Sequence, residues 1–248
     1  MRISKIRAAL ASAFLILSGG VATAQVAAPV ASPAAPAAPS TATAPGYLVV
    51  SGWYKDAAIQ QAYQPAMLKV IRQYDYDRFV VGLPGLNLSV LEGGWTPRFT
   101  LIARFPNEQK INQFWWSDAY QQARKIRMGG AYLDVVKVDG GATSDMGPDS
   151  AYLIFLPHLT DREKFLKEYA PFAPSVVAQH GGKFLVRTGR EGIELLEGDW
   201  PNQGMVLVEF PNVAALDAFW NSPEYRRLSE IRKTTGEWSV VRITPAKR

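Results

Sequence analysis

The chain has 248 residues, of which 48% are hydrophobic and 20% charged, with 27 Lys and Arg against 22 Asp and Glu and a formal net charge of +5. This is the composition of an ordinary globular protein rather than a disordered or collagenous one. The complete absence of cysteine excludes disulfide scaffolds, thiolate metal sites, Cys nucleophiles and lipid attachment through a thiol.

Met1 to Ala24 carries the three parts of a secretory signal: Arg2, Lys5 and Arg7, then the apolar run Ala8 to Leu17, then Ala22-Thr23-Ala24. Cleavage would leave Gln25 first, and a soluble mature protein in the periplasm or secreted medium is expected. The apolar run is too short to cross a hydrocarbon core of about 30 Å, and no later segment approaches the roughly 20 apolar residues a spanning helix needs. No Asp or Glu precedes Asp56, so removing 1–24 takes away three positive charges and leaves a net charge of +2. The remaining Lys and Arg residues are dispersed, unlike the basic face of a nucleic-acid binder, and no nucleic-acid partner is expected. Residues 25–45, with nine Ala and five Pro in 21 positions and no charge, read as an extended semi-rigid linker.

Beyond Pro45 the chain repeats itself. An offset of 105 residues superposes Tyr47 on Tyr152, Asp56 on Asp161, Leu91-Glu92-Gly93 on Leu196-Glu197-Gly198 and Trp95 on Trp200. It also pairs Phe105-Pro106-Asn107 with Phe210-Pro211-Asn212, Phe114-Trp115 with Phe219-Trp220, Ser117 with Ser222, Tyr120 with Tyr225 and Ile126-Arg127 with Ile231-Arg232. The first copy occupies 46–140 and the second 150–245, joined by the Gly- and Asp-rich stretch Asp139 to Asp149.

In the second copy, Tyr152 to Leu156 reads as a strand covered on both faces. Thr160-Asp161-Arg162-Glu163 reads as a capping box, starting a helix at Asp161 with the stripe Phe165, Tyr169, Phe172 and Val176, bent or split by Pro171 and Pro174 and ended by Gly181. Lys183 to Arg187 and Ile193 to Leu196 read as two strands around the turn Thr188 to Gly192, and Met205 to Phe210 as another. Val213 to Trp220 begins a second helix. Ser222 and Pro223 cap a further helical stretch, and Trp238 to Ile243 closes the unit as a strand. The order is that of a ferredoxin-like βαββαβ unit. Strands apolar on both faces need cover on each, so the expected architecture is α+β: two tandem units packed sheet to sheet as an intrachain α/β barrel.

The second copy resembles domain-of-unknown-function family 1330 of the dimeric α/β-barrel superfamily, through AYLIFL, HGGKFLVR, ELLEGDWP, VLVEFPN and FWNSPEYRRL. The first copy, which keeps GYLVV, VLEGGW and FWWSDAY, looks like a diverged version. The resemblance implies the barrel fold. Its superfamily includes small oxygenases, isomerase-like and haem-handling proteins and non-catalytic modules, so fold does not select among them.

Three candidates for chemistry follow from residue type. His158 and His180 are the only side chains that titrate near neutrality unperturbed, and either could act as a base; the bland reading of His180 is a helix C-cap. Arg187 is expected to face Glu194 across the strand pair, as an ion pair or, if turned into a cavity, as an anion holder. Candidate ligand-binding residues are Tyr152, Glu194, Glu197, Trp200 and Tyr225, each weighed against a core or turn role. Neither a metal nor another cofactor is expected, because two isolated histidines lack metal-ligand spacing. The chain also lacks a phosphate loop, a nucleophile elbow and a zinc-protease motif. The preferred reading is an exported protein binding a small apolar or aromatic molecule in a barrel pocket. A cofactor-independent oxygenase or isomerase and a non-catalytic assembly module, as a homo-oligomer, stand as alternatives.

Overall fold

Two five-stranded antiparallel sheets, each completed by a strand from the opposite repeat, organise the protein. The computed structural model describes residues 44–76, 78–141 and 147–245. The signal-like segment and the linker up to Thr43 lie outside the described residues, as do 142–146 of the joining stretch. The two repeats form one compact unit.

The first repeat runs β1 (Gly46–Tyr54), α1 (Ala57–Ile71), β2 (Arg78–Gly82), β3 (Leu88–Glu92), β4 (Thr100–Phe105), α2 (Glu108–Trp115), α3 (Asp118–Lys125) and β5 (Ala131–Asp139). The second runs β6 (Ala151–Leu159), the single turn α4 (Arg162–Lys164), a π-helical turn Phe165–Tyr169, α5 (Ala173–Gln179), β7 (Lys183–Gly189), β8 (Ile193–Glu197), β9 (Gly204–Phe210), α6 (Val213–Asn221), α7 (Pro223–Lys233) and β10 (Gly236–Ile243). Both repeats keep the expected strand–helix–strands–helix–strand order, but each holds three strands between its helical segments rather than the two of a βαββαβ unit, and the middle one (β3 or β8) joins the sheet of the other repeat.

Local chemistry sets the helix starts. Asp56, Asn107, Ser117, Asn212 and Ser222 each accept a hydrogen bond from a first-turn backbone N–H of the helix that follows. At the first helix of repeat two the cap is Asp161, whose Oδ1 accepts from Lys164 N at 2.9 Å. The expected Thr160 capping box does not form, since the Thr160 hydroxyl turns to the Thr235 carbonyl instead. The expected single stripe is also interrupted. The Ala170 N–H reaches back five residues to the Phe165 carbonyl, and this wide turn, with Pro171 behind it, rotates the phase so that Tyr169 and Val176 are buried while Phe172 is exposed.

The principal departure from expectation is strand pairing. Strands β7 and β8 do not form a hairpin. The sheets run β2-β4-β1-β5-β8 and β3-β10-β6-β9-β7, so β8 pairs with β5 of repeat one and β3 with β10 of repeat two. An apolar strand buries the same side chains against either partner, and the hydrophobic pattern alone does not choose between them.

The inner faces of the sheets meet in a continuous core that includes Tyr47, Val49, Ile102 and Val136 from one sheet and Tyr152, Ile154, Leu207 and Val241 from the other. Trp95 and Trp200 meet there edge to face at 6.0 Å between ring centroids. Helices cover the outer faces; in repeat two Leu153, Phe155, Val208 and Val240 pack against Val176, Leu216, Phe219 and Tyr225.

Candidate functional site

The polar groups converge on the helix-covered faces, at two related places where the exchanged strands end. Val90 lies opposite Val241 on the barrel face, but the next pairing is Glu92 with Val240. The bulge at Leu91 advances β3 by two residues while β10 moves by one, which flips Glu92 to the helix side. Leu196 does the same for Glu197, which lies opposite Val135. The following Gly93 and Gly198 adopt φ of 78° and 79°. A Cβ at either would stand 2.2–2.3 Å from a carbonyl of the neighbouring strand, Trp238 O or Leu133 O, so Leu-Glu-Gly places the carboxylate and turns the chain away in three residues.

Each carboxylate meets an arginine of the other repeat. Arg127, 1% exposed, holds Glu197 in a fork, Nη1 to Oε1 at 2.5 Å and Nη2 to Oε2 at 2.7 Å. Arg124 Nε adds a bond to Glu197 Oε2 at 2.8 Å. Arg127 Nη2 also donates to the Tyr120 hydroxyl at 3.3 Å, which lies 3.0 Å from that of Tyr63. Burial would lower the basicity of Arg127, but Glu197, Tyr120 and Tyr63 raise it overall. Burial also pushes the hydroxyls of Tyr54 and Tyr63 upward, keeping both protonated. The first cluster is therefore closed on itself.

The second cluster has the same frame with fewer partners. Arg232, fully buried, donates Nη2 to Glu92 Oε2 at 2.6 Å. Its guanidinium carbon lies 5.0 Å from the Trp238 ring centroid and 5.6 Å from that of Phe155. Burial opposes the Arg232 charge, and Tyr225, Tyr169 and Glu92 restore it, so its pKa is raised overall. Burial likewise lifts Tyr169 to about 12 and Tyr225 well above its ordinary value. Arg232 also engages the Tyr225 hydroxyl, while Arg232 Nε and Trp238 Nε1 are buried without a hydrogen-bond partner. Ser229 stands where the first repeat has Arg124, and Trp238 where it has Leu133. Beside this cluster an open groove of about 470 Å³ is bordered by Trp220 and Tyr225 together with the charged Glu92, Arg226, Arg227, Glu230 and Lys233.

The structure does not bring His158, His180 and Arg187 together. Lys183, just after His180, lies in register with Glu209 and Tyr152. His158 is six residues further along β6, roughly 20 Å at about 3.3 Å per residue. His180 ends α5 with its ring edge-on to Phe219, and His158 is exposed opposite Glu237. Arg187 is exposed, sits opposite Val206 rather than Glu194, and lies over the Phe184 ring at 4.9 Å. The expected Arg187–Glu194 cross-strand pair is thus replaced, because their strands belong to different sheets. Glu194 instead pairs with buried Lys137 of repeat one at 2.6 Å, beside Glu108 and Asn112.

Among the ligand candidates, Tyr152 faces the barrel and donates to Glu209 at 3.3 Å, and Trp200 is part of the barrel core. Glu197 belongs to the closed cluster and Tyr225 to the open one. Sequence reasoning passed over Arg127, Arg232 and Trp238 as site residues. The usable signal was joint: Arg127 and Arg232 each follow an isoleucine at the same offset that repeats Glu92 and Glu197. Among the described residues, no group of three or more His, Asp or Glu side chains suits a metal ion, and no helix is long and apolar enough to cross a membrane.

Comparison with solved structures finds similar chains of diverse description. A Rhodopseudomonas palustris protein of unknown function is 23% identical, with 41% of this chain and 86% of that one covered and a TM-score of 0.34. A novel heme-binding protein from Thermus thermophilus is 12% identical, with 81% and 91% covered and a TM-score of 0.40. A mutant chlorite dismutase from Candidatus Nitrospira defluvii is 9% identical, with 81% and 92% covered and a TM-score of 0.42. Comparison with curated protein sequences gives no match. The two repeats each match one family, over residues 45–141 and 150–245, and the chain therefore belongs to the family described as Domain of unknown function (DUF1330), present here twice in tandem.

Proposed function

We propose that this is an exported protein that binds a small, largely apolar or aromatic molecule, and that it does so on the helix-covered side of repeat two rather than inside the barrel. The observation that carries this reading is the groove beside the Arg232 cluster, walled by the rings of Trp220 and Tyr225 and rimmed by Glu92, Arg226, Arg227, Glu230 and Lys233. Its volume of about 470 Å³ falls within the roughly 300–1,000 Å³ of ligand clefts. The barrel interior, by contrast, is filled by side chains of both sheets. Export is supported by Met1 to Ala24, with its basic start, apolar run and Ala22-Thr23-Ala24.

One measurement tests both parts: native mass spectrometry of the protein recovered from the exporting host. The expected result is a polypeptide mass beginning at Gln25, together with a fraction carrying a defined small-molecule mass that Trp220→Ala reduces. An intact Met1 to Ala24 would refute export. A bound mass untouched by Trp220→Ala, or a mature protein that takes up no aromatic compound on addition, would refute the groove.

A further inference from the structure

The groove of repeat two lies where repeat one carries an arginine. At the offset that relates the copies, Trp115 corresponds to Trp220, Tyr120 to Tyr225, Arg124 to Ser229, Arg127 to Arg232 and Glu197 to Glu92. In repeat one the Arg124 guanidinium carbon lies 5.8 Å from the Trp115 ring centroid, and Arg124 Nε donates to Glu197 Oε2 at 2.8 Å. The same carboxylate takes the fork of Arg127. Two arginines thus share one carboxylate, and the outer one lies over a tryptophan ring. In repeat two the frame persists, with Trp220 and Tyr225 walling the groove, Glu92 at its edge and Arg232 bonded to Glu92. The outer arginine is replaced by Ser229, whose hydroxyl turns back to the Arg226 carbonyl at 2.8 Å. Its side chain reproduces none of the contacts that Arg124 makes.

What remains is an acceptor and a ring without their cation. Glu92 Oε2 accepts from Arg232 Nη2 at 2.6 Å. Lys233 Nζ stands 4.0 Å from Glu92 Oε1, beyond hydrogen-bond distance, and is bonded to Glu230 at 2.9 Å instead. A planar cation suits this place twice over: its parallel N–H groups match a carboxylate, and its charge is attracted to the face of a tryptophan. The remaining cations on the groove are Arg226, which donates to Asn221 Oδ1 at 3.3 Å, and Arg227. Both are exposed, where water and salt screen their repulsion. Repeat one shows that the frame tolerates a second guanidinium, since Arg124 sits there beside Arg127. The groove, at about 470 Å³, has room for a ring as well as the cation.

We propose that the repeat-two groove binds an aromatic compound bearing a guanidinium or amidinium group, whose planar cation takes the position that Arg124 holds in repeat one, over the Trp220 ring and donating to Glu92. The proposal rests on the groove reading above and adds the charge and the hydrogen-bonding head of the ligand.

Benzamidine, benzamide and benzoate test it, being a cation, a neutral molecule and an anion of nearly one shape. Each is titrated into the full chain with affinity read by calorimetry. Benzamidine is expected to bind about 10-fold or more tightly than either of the others, as a charge-assisted hydrogen bond provides. Ser229→Arg should rebuild the repeat-one arrangement and weaken benzamidine by at least about 10-fold, with the melting temperature retained or raised. Ser229→Ala, which leaves the position open, should bind benzamidine as wild type does. Equal binding of benzamidine and benzamide would overturn the cationic head and leave the groove reading standing. Tighter binding of benzoate would overturn it in favour of an anion held by Arg226 and Arg227. A folded Ser229→Arg protein that binds benzamidine as well as wild type would overturn the placement over Trp220. Failure of all three probes to bind would overturn the proposal and the groove reading together.

Discussion

Replacing Glu197 by glutamine should cost about 3–5 kcal/mol of stability, because it leaves the Arg127 charge buried with no counter-ion. Both guanidinium ends and Arg124 Nε converge on this carboxylate, and Arg127 is 1% exposed. The corresponding change at Glu92, which takes one bond from Arg232, should cost less. Denaturant unfolding of both variants measures the difference. A cost near that of an exposed pair, below about 1 kcal/mol, would show that solvent reaches Arg127. Adding Arg127→Met to Glu197→Gln should recover part of the loss, since an apolar replacement removes the stranded charge.

The same pair predicts a pH dependence. Burial pushes the Glu197 carboxyl up, but the bonds and charges of Arg127 and Arg124 outweigh it and hold the group below its usual range. A depressed carboxylate contributes fully above its unfolded value, about 4.3, and its contribution fades as the pH falls through the lower folded value. Wild-type stability should therefore drop across that acidic window, while Glu197→Gln, having lost the contribution already, should change less there. Parallel profiles would mean that other carboxylates dominate acid unfolding.

The second large effect concerns the repeats themselves. Residues 150–245 expressed alone should assemble as a homodimer, because the sheet β10-β6-β9-β7 lacks the edge strand that β3 provides and β8 lacks its partner β5. Two copies satisfy each other when the β8 of one lies along the β10 of the other, bringing Glu197 of one to Arg232 of its mate. Light scattering should give twice the chain mass, and the melting temperature should rise with protein concentration. A folded monomer with β8 hydrogen-bonded to its own β7 would contradict the exchange.

How these features could be read in advance differs from one to the next. The duplication was plain, because rare residues such as Trp95 and Trp200 recur at one offset, and the alternation of strands and helices followed from periodicity and caps. The exchange of β3 and β8 was hidden, since Ile193 and Leu195 meet apolar neighbours in either pairing. Expectations for Arg187 and Glu194 assumed a local hairpin and failed with it. The Leu91 and Leu196 bulges, which decide where Glu92 and Glu197 point, depend on partner register and leave no alternation of their own. The π-helical turn was foreshadowed only by Pro171, which marks a break without specifying its kind.

Joining both repeats in one chain makes strand exchange an intramolecular event, so the barrel closes at a fixed effective concentration however dilute the protein becomes. A two-chain assembly, by contrast, would dissociate on dilution. Fusion also lifts the obligation of a homodimer to keep two identical sites. One half was free to retain Arg127, Tyr120 and Glu197 as a self-sufficient clasp, while the other could thin out its acceptors around Arg232. Asymmetry between twin halves is thus open to a covalently joined pair and closed to a homodimer of identical chains.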